Sequence, residues 1–153
     1  MIFVECKPDQ TLVLAVTGAP PRQVIHELKG KGEVVRRLSV GTNLLGMVDE
    51  DPWASQPPYL SRMRMTEDLP AAALKVFQDP NRNNRIAVLC PRLEEWILRA
   101  ARLERANLGD YNLPADVSRL REVINNRLPN LERLVNDLRG SASMRALRRA
   151  LTA

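Results

Sequence analysis

Two hydrophobic periods alternate along this chain, and that alternation limits its architecture more than any other feature. Short apolar runs rich in β-favouring residues, such as "MIFVEC" and "TNLLGMV", are separated by longer segments whose apolar residues recur three and four positions apart. Strand-length runs divided by helical segments predict an α/β domain, with a small parallel or mixed sheet flanked by helices. At 153 residues the chain is long enough for one sizeable core and short for two. The division expected is an α/β domain over residues 1–105, with residues 106–153 as a C-terminal helical extension packed on the same domain.

"MIFVEC" reads as a strand ending at Glu5, and "RQVIHEL" as a second strand. "DQTLVLAVTG" has strand-like composition over Thr11 to Val16, but its length and closing Gly18 favour a helix. "GKGEVVRRLSVG" places Val34, Val35 and Leu38 at helical spacing, and "TNLLGMV" is a buried strand running into Asp49-Glu50-Asp51. The Pro-rich stretch from Pro52 to Pro70 suits an irregular loop, and "ALKVF" and "RIAVLC" are two strands joined by the turn "QDPNRNN". From Pro91 onward four amphipathic segments predict helices.

Composition narrows the function classes. Aromatic residues make up 4%, which argues against a sheet of base-stacking aromatics of the RRM type. No apolar run is long enough to span a bilayer, and the N-terminus lacks a secretory signal pattern, so a soluble cytoplasmic protein without a membrane partner is expected. Cys6 and Cys90 have no zinc or disulfide spacing and read as small buried hydrophobes. His26 is the one histidine, which excludes a multi-histidine zinc site.

Charge is unevenly placed. Residues 1–81 carry nine basic against ten acidic side chains, and residues 82–153 carry 14 against eight. Carboxylates holding a cation in one half and arginines holding phosphates in the other would suit a polyanion substrate. Solvated faces of amphipathic helices, with arginine outnumbering lysine 19 to four, are the alternative. The candidate phosphate-steering groups are Lys29 and Lys31, beside two glycines in "HELKGKGE", and Arg145, Arg148 and Arg149 in "MRALRRAL". Met144, Leu147 and Leu151 give that last segment an apolar face. "HELKGKGE" lacks the GxxxxGK[ST] spacing of a nucleotide-hydrolysing loop.

The acidic triplet is the strongest chemical signal. In an extended chain Asp49 and Asp51 project to one side and Glu50 to the other, so the two aspartates can share a hard divalent cation. Loop-forming turn chemistry after a strand is the competing reading. If the first strand neighbours this one in parallel, Glu5 joins the aspartates in a three-carboxylate site for Mg²⁺ or Mn²⁺. A fourth carboxylate, Glu94 in "CPRLEEWILRA", borders an apolar helix face formed by Leu93, Trp96, Ile97 and Ala100. Glu94 is the better site candidate, or else it serves only the positive end of the helix dipole. Glu95 points away, as an expected partner of Arg99.

With Glu5 closing one strand and Asp49-x-Asp51 closing another, the chain resembles the Toprim fold of topoisomerases, bacterial primases and OLD-type nucleases. "ECKPD" is similar to that family's Glu-Gly-x-x-Asp motif through Glu5 and Asp9, with Cys6 standing in place of the glycine. "VDEDP" matches the second motif, and the Glu94 helix is similar to one found in some small Toprim-like proteins. The resemblance implies metal-dependent phosphodiester hydrolysis on DNA or RNA, with Glu5, Asp49, Asp51 and Glu94 as catalytic residues. By analogy it implies a defence or mobile-element setting. The alternative is a noncatalytic nucleic-acid-binding or interaction module that partners a larger ATPase. Tyr59 has no setting that marks it as a covalent nucleophile.

Overall fold

A computed structural model of the chain describes residues 1–152. Six strands form one mixed sheet: β1 (Ile2–Val4), β2 (Val24–His26), β3 (Leu45–Asp49), β4 (Arg64–Leu69), β5 (Leu74–Asp79) and β6 (Asn84–Leu89). Their order is β2-β1-β3-β6-β5-β4; β2, β1, β3 and β6 are mutually parallel, and β5 runs antiparallel to both its neighbours. Seven helices accompany the sheet: α1 (Lys7–Thr17), α2 (Lys31–Val40), α3 (Pro58–Arg62), α4 (Leu93–Leu103), α5 (Val117–Val123), α6 (Leu128–Asp137) and α7 (Ala142–Leu151). The α/β class read from the two periods is the class observed.

Strand alternation divides the core into two layers. Ile2, Val4, Met47, Ala87 and Leu89 meet side chains of α1, α4, α6 and α7 on one face. Phe3, Val48, Ile86 and Val88 meet α2 and α3 on the other. In α7, Met144, Leu147 and Leu151 are all buried in the first layer, so that helix completes the core. Arg85, at the start of β6, reinforces the docking by donating to the carbonyls of Ala150 and Thr152 at 3.1 Å each.

Local signals decide the ambiguous stretch around Thr11. Pro8 falls in the first turn of α1, where its missing N–H costs nothing, and Gly18 ends the helix at φ 69° with its N–H on the Leu14 carbonyl. The helix wins over the strand-like composition because both ends are specified.

The expected loop from Pro52 to Pro70 is corrected in part. Its first residues are irregular, but Pro57-Pro58 opens α3, which buries Tyr59 and Leu60; Met63 just beyond it is buried too, and β4 follows. β4 is an edge strand exposed along nearly its whole length, so it has no apolar alternation to read. Its cause is pairing with β5. Tyr59 is structural: its hydroxyl donates to Asp79 and accepts from Asn84 Nδ2. Buried Asn84 also accepts the Leu44 N–H and donates to the carbonyls of Leu38 and Gly41, tying β6 to the end of α2 and the start of β3.

Candidate functional site

The sheet order puts a reversal between β1 and β3. From β1 the chain crosses by α1 on one face to β2, then returns by α2 on the other face to β3 on the far side of β1. The two crossovers diverge there, leaving a crevice at the carboxyl ends of β1 and β3, where α/β sheets place their ligands. Glu5 follows the last residue of β1, and Asp49 is the last residue of β3. Because Val4 pairs with Met47, the two carboxylates emerge side by side. Glu5 Oε2 accepts the Asp49 N–H at 2.6 Å, and Asp49 Oδ1 accepts the Leu93 N–H at 3.0 Å, which seats the start of α4 on β3.

Asp9 joins them from the first turn of α1. It is 2% exposed; one oxygen accepts from the Cys6 thiol at 3.2 Å, and Oδ1 is buried with no hydrogen-bond partner. Cys6 itself, at φ −151°, is in ordinary extended backbone, so the residue replacing the motif glycine needs no special conformation. Its thiol is pushed up by burial and by Asp9.

Burial and mutual repulsion alter all three carboxyls. Glu5 is raised to about 7, chiefly by burial, with Asp51 and Glu94 adding to the rise and the Asp49 N–H and Lys31 opposing it. Asp9 is raised to about 7 by burial and then by Glu5. Asp49 is raised to about 9 by burial, followed by Asp9, Glu5, Glu94 and Asp51. Asp49 is therefore influenced at once by Asp9 from α1, Glu5 after β1, Asp51 in the following turn and Glu94 on α4, at the carboxyl ends of the parallel strands. Glu94 also lies 3.7 Å from Arg121.

The extended triplet expected after β3 is not what forms. The pleat ends at Asp49, and Asp51 sits at φ 44° with its N–H on the Pro91 carbonyl. Glu50 still departs from its neighbours, pairing with Lys75 on β5 at 2.7 Å. The separation of Asp49 and Asp51 from Glu50 is therefore made by a turn. Lys31, at the start of α2, is the cation on this cluster: its ammonium donates to the Glu50 carbonyl and to Gln56 Oε1, each at 2.8 Å. Burial lowers its pKa against the pull of Glu5, Asp51 and Asp49.

Other candidates stand elsewhere. Lys29 is exposed in the turn before α2. Arg145, Arg148 and Arg149 are exposed on α7, whose C-terminal carbonyls are bound by Arg85. Arg85 pairs with Leu45, at the end of β3 opposite Asp49, so this end of α7 lies at the far edge of the sheet from the carboxylates. Glu95 does not pair with Arg99; it lies 3.4 Å from Arg92 and 3.7 Å from Arg121, while Arg99 donates to the carbonyls of Pro70 and Ala71.

The rim also carries residues to which sequence reasoning gave no binding role. Trp53, 63% exposed in the turn after the acidic triplet, lies under the Arg92 guanidinium, 4.6 Å from ring centroid to Cζ. Arg99, Arg102 and Arg105 follow at three-residue steps along and just beyond α4, a spacing legible in the sequence.

No family model matches the chain, no curated protein matches its sequence, and no solved structure matches its fold. Its function therefore rests on the site alone.

An all-oxygen donor set of Glu5, Asp49 and Asp51, beside a buried and unpartnered Asp9 oxygen, fits a hard divalent cation in chemical type. Among the described residues, no three His, Cys, Asp or Glu side chains are already arranged to hold one. Cation binding there would require the carboxylates to lose protons and converge.

Proposed function

We propose that this chain is a metal-dependent phosphodiesterase of nuclease type acting on nucleic acid. The observation that carries the reading is the crowding of Glu5, Asp9, Asp49, Asp51 and Glu94 at the switch point of the sheet, with Lys31 among them. Leaving so many carboxylates together costs stability, which a bound divalent cation would offset. Glu5, Asp49 and Asp51 are the residues that would hold Mg²⁺ or Mn²⁺, which when bound supplies charge stabilisation at a phosphoryl oxygen and a leaving oxygen. Lys31 would draw the phosphate towards the carboxylates. Glu5 gives one oxygen to the Asp49 N–H, which leaves the other to face the cation or a water beside it. Glu94, at the border of the cluster, would position the same water. The resemblance to Toprim proteins supports this reading and extends it to a defence or mobile-element setting.

A second reading has its own support. Asp49 already seats α4, and Glu5 already fixes the Asp49 backbone. A protonated cluster with those duties suits a noncatalytic module that binds nucleic acid or a larger ATPase partner. The chain has no described helix long and apolar enough to cross a membrane under either reading.

The deciding experiment incubates purified protein with labelled single-stranded DNA and RNA, with Mg²⁺ or Mn²⁺ and with EDTA. Metal-dependent cleavage is expected, and Glu5→Gln or Asp49→Asn should reduce it by about 100-fold or more while leaving binding intact. Wild-type protein that binds but cleaves neither polymer with either metal would establish the noncatalytic module instead.

A further inference from the structure

Behind Cys90 and Pro91, along α4, lies a cleft of about 850 Å³. That volume is within the usual range for small-ligand sites and exceeds what one nucleotide needs. Its wall combines aliphatic side chains, among them Leu98, Leu108 and Val117, with Arg99, Arg102 and Arg105. Arg102 and Arg105 are exposed and make no ion pair or side-chain hydrogen bond among the described residues. The wall also holds Asp116 and Glu95, the latter paired with Arg92 and Arg121.

The cleft also adjoins the carboxylate cluster. Pro91, which lines it, accepts the Asp51 N–H, and Arg121 bridges Glu95 in the cleft wall to Glu94 in the cluster. A phosphodiester strand reaching the carboxylates can therefore continue into the cleft.

We propose that this cleft is a nucleotide subsite for single-stranded nucleic acid, holding one unpaired base against its aliphatic wall and the flanking phosphates on Arg102 and Arg105. The inference rests on the nuclease reading in taking nucleic acid as the ligand. It moves the polyanion contacts from the α7 arginines to the end of α4. A duplex hides its base faces, so the aliphatic wall selects single strands. Trp53 stands at the rim through Arg92, which contacts both it and Glu95.

The test measures binding of a fluorescein-labelled 12-nucleotide oligothymidylate and of a DNA duplex of equal length, in EDTA so that nothing is cleaved, over a range of salt. Arg102→Ala with Arg105→Ala should weaken single-strand binding on the order of tenfold and lower the salt slope by about 1.4, near 0.7 for each phosphate no longer neutralised. Both side chains are exposed, so the variant should keep the wild-type Tm. Replacing Arg145, Arg148 and Arg149 together should change neither affinity nor slope. Because Trp96 is buried, a change in tryptophan emission on adding unlabelled oligothymidylate would report on Trp53 and support the rim placement. Wild-type binding that survives Arg102→Ala with Arg105→Ala unchanged, or a preference for duplex, would overturn the subsite and leave the nuclease reading standing. Wild-type protein that neither binds nor cleaves either polymer would overturn both.

Discussion

The carboxylate cluster makes a prediction about stability that runs against the usual behaviour of acidic groups. Glu5, Asp9 and Asp49 all bind protons more tightly folded than unfolded. For a carboxyl raised in this way, the folded state is favoured at low pH. Its contribution is complete below the unfolded value, and it is lost as pH rises through the folded one. Glu5 alone, moved from 4.5 to about 7, accounts for about 3 kcal/mol at 1.36 kcal/mol per pH unit. The losses of the three groups add, so the figure for Glu5 alone is the least that the cluster gives up. For a domain of this size that alone is a fall in Tm of roughly 6–12 °C between about pH 5 and pH 8, with Asp9 and Asp49 adding to it. Differential scanning fluorimetry in EDTA would measure it. Two companions sharpen the assay: Asp49→Asn, which keeps an oxygen for the Leu93 N–H, should flatten the fall, and Mg²⁺ at pH 8 should restore much of the loss in wild type. A Tm that is constant or rises from pH 5 to pH 8 in EDTA would show that the cluster does not hold its protons, and the electrostatic argument would fail with it.

Replacing Asn84 by Ala should be among the most damaging single changes away from the cluster. It strands the Leu44 N–H and frees the Leu38 and Gly41 carbonyls at a buried junction, at a cost of about 2–4 kcal/mol readable by urea denaturation. Glu50→Gln should cost under about 1 kcal/mol, because its partly exposed pair with Lys75 is weak, and should leave metal-dependent cleavage near wild type. Loss of cleavage equal to that of Asp49→Asn would mean that Glu50 belongs to the reacting group after all.

Much of the fold was legible because hydrophobic period and end signals agreed. α1, α2, α4, α6 and α7 announce themselves by apolar spacing, and β3 and β6 by short buried runs. β4 was not legible, since an exposed edge strand owes its existence to its partner and leaves no pattern of its own. At the site, the neighbourhood of Glu5 and Asp49 followed from placing their strands side by side in parallel. The geometry of Asp51 did not, because a positive φ at an aspartate is set by the turn into Pro91 and not by local alternation. The distance of the α7 arginines from the carboxylates was not legible for a related reason. Charge along a sequence says nothing of which sheet edge a helix will reach, and that is fixed by contacts such as Arg85 with the last turn of α7.

The docking of α6 and α7 on α1 has a kinetic consequence. These partners lie more than 100 positions apart, so the layer that covers β1 and β3 cannot close until nearly the whole chain is present. Contacts so distant pay their loop-closure entropy before they return any stability, which makes folding slower than for a helical bundle built from local contacts. On a ribosome adding about 5–20 residues per second, the apolar face of α1 and the first strands would wait roughly 5–20 s for its cover. Slower elongation would lengthen that exposure.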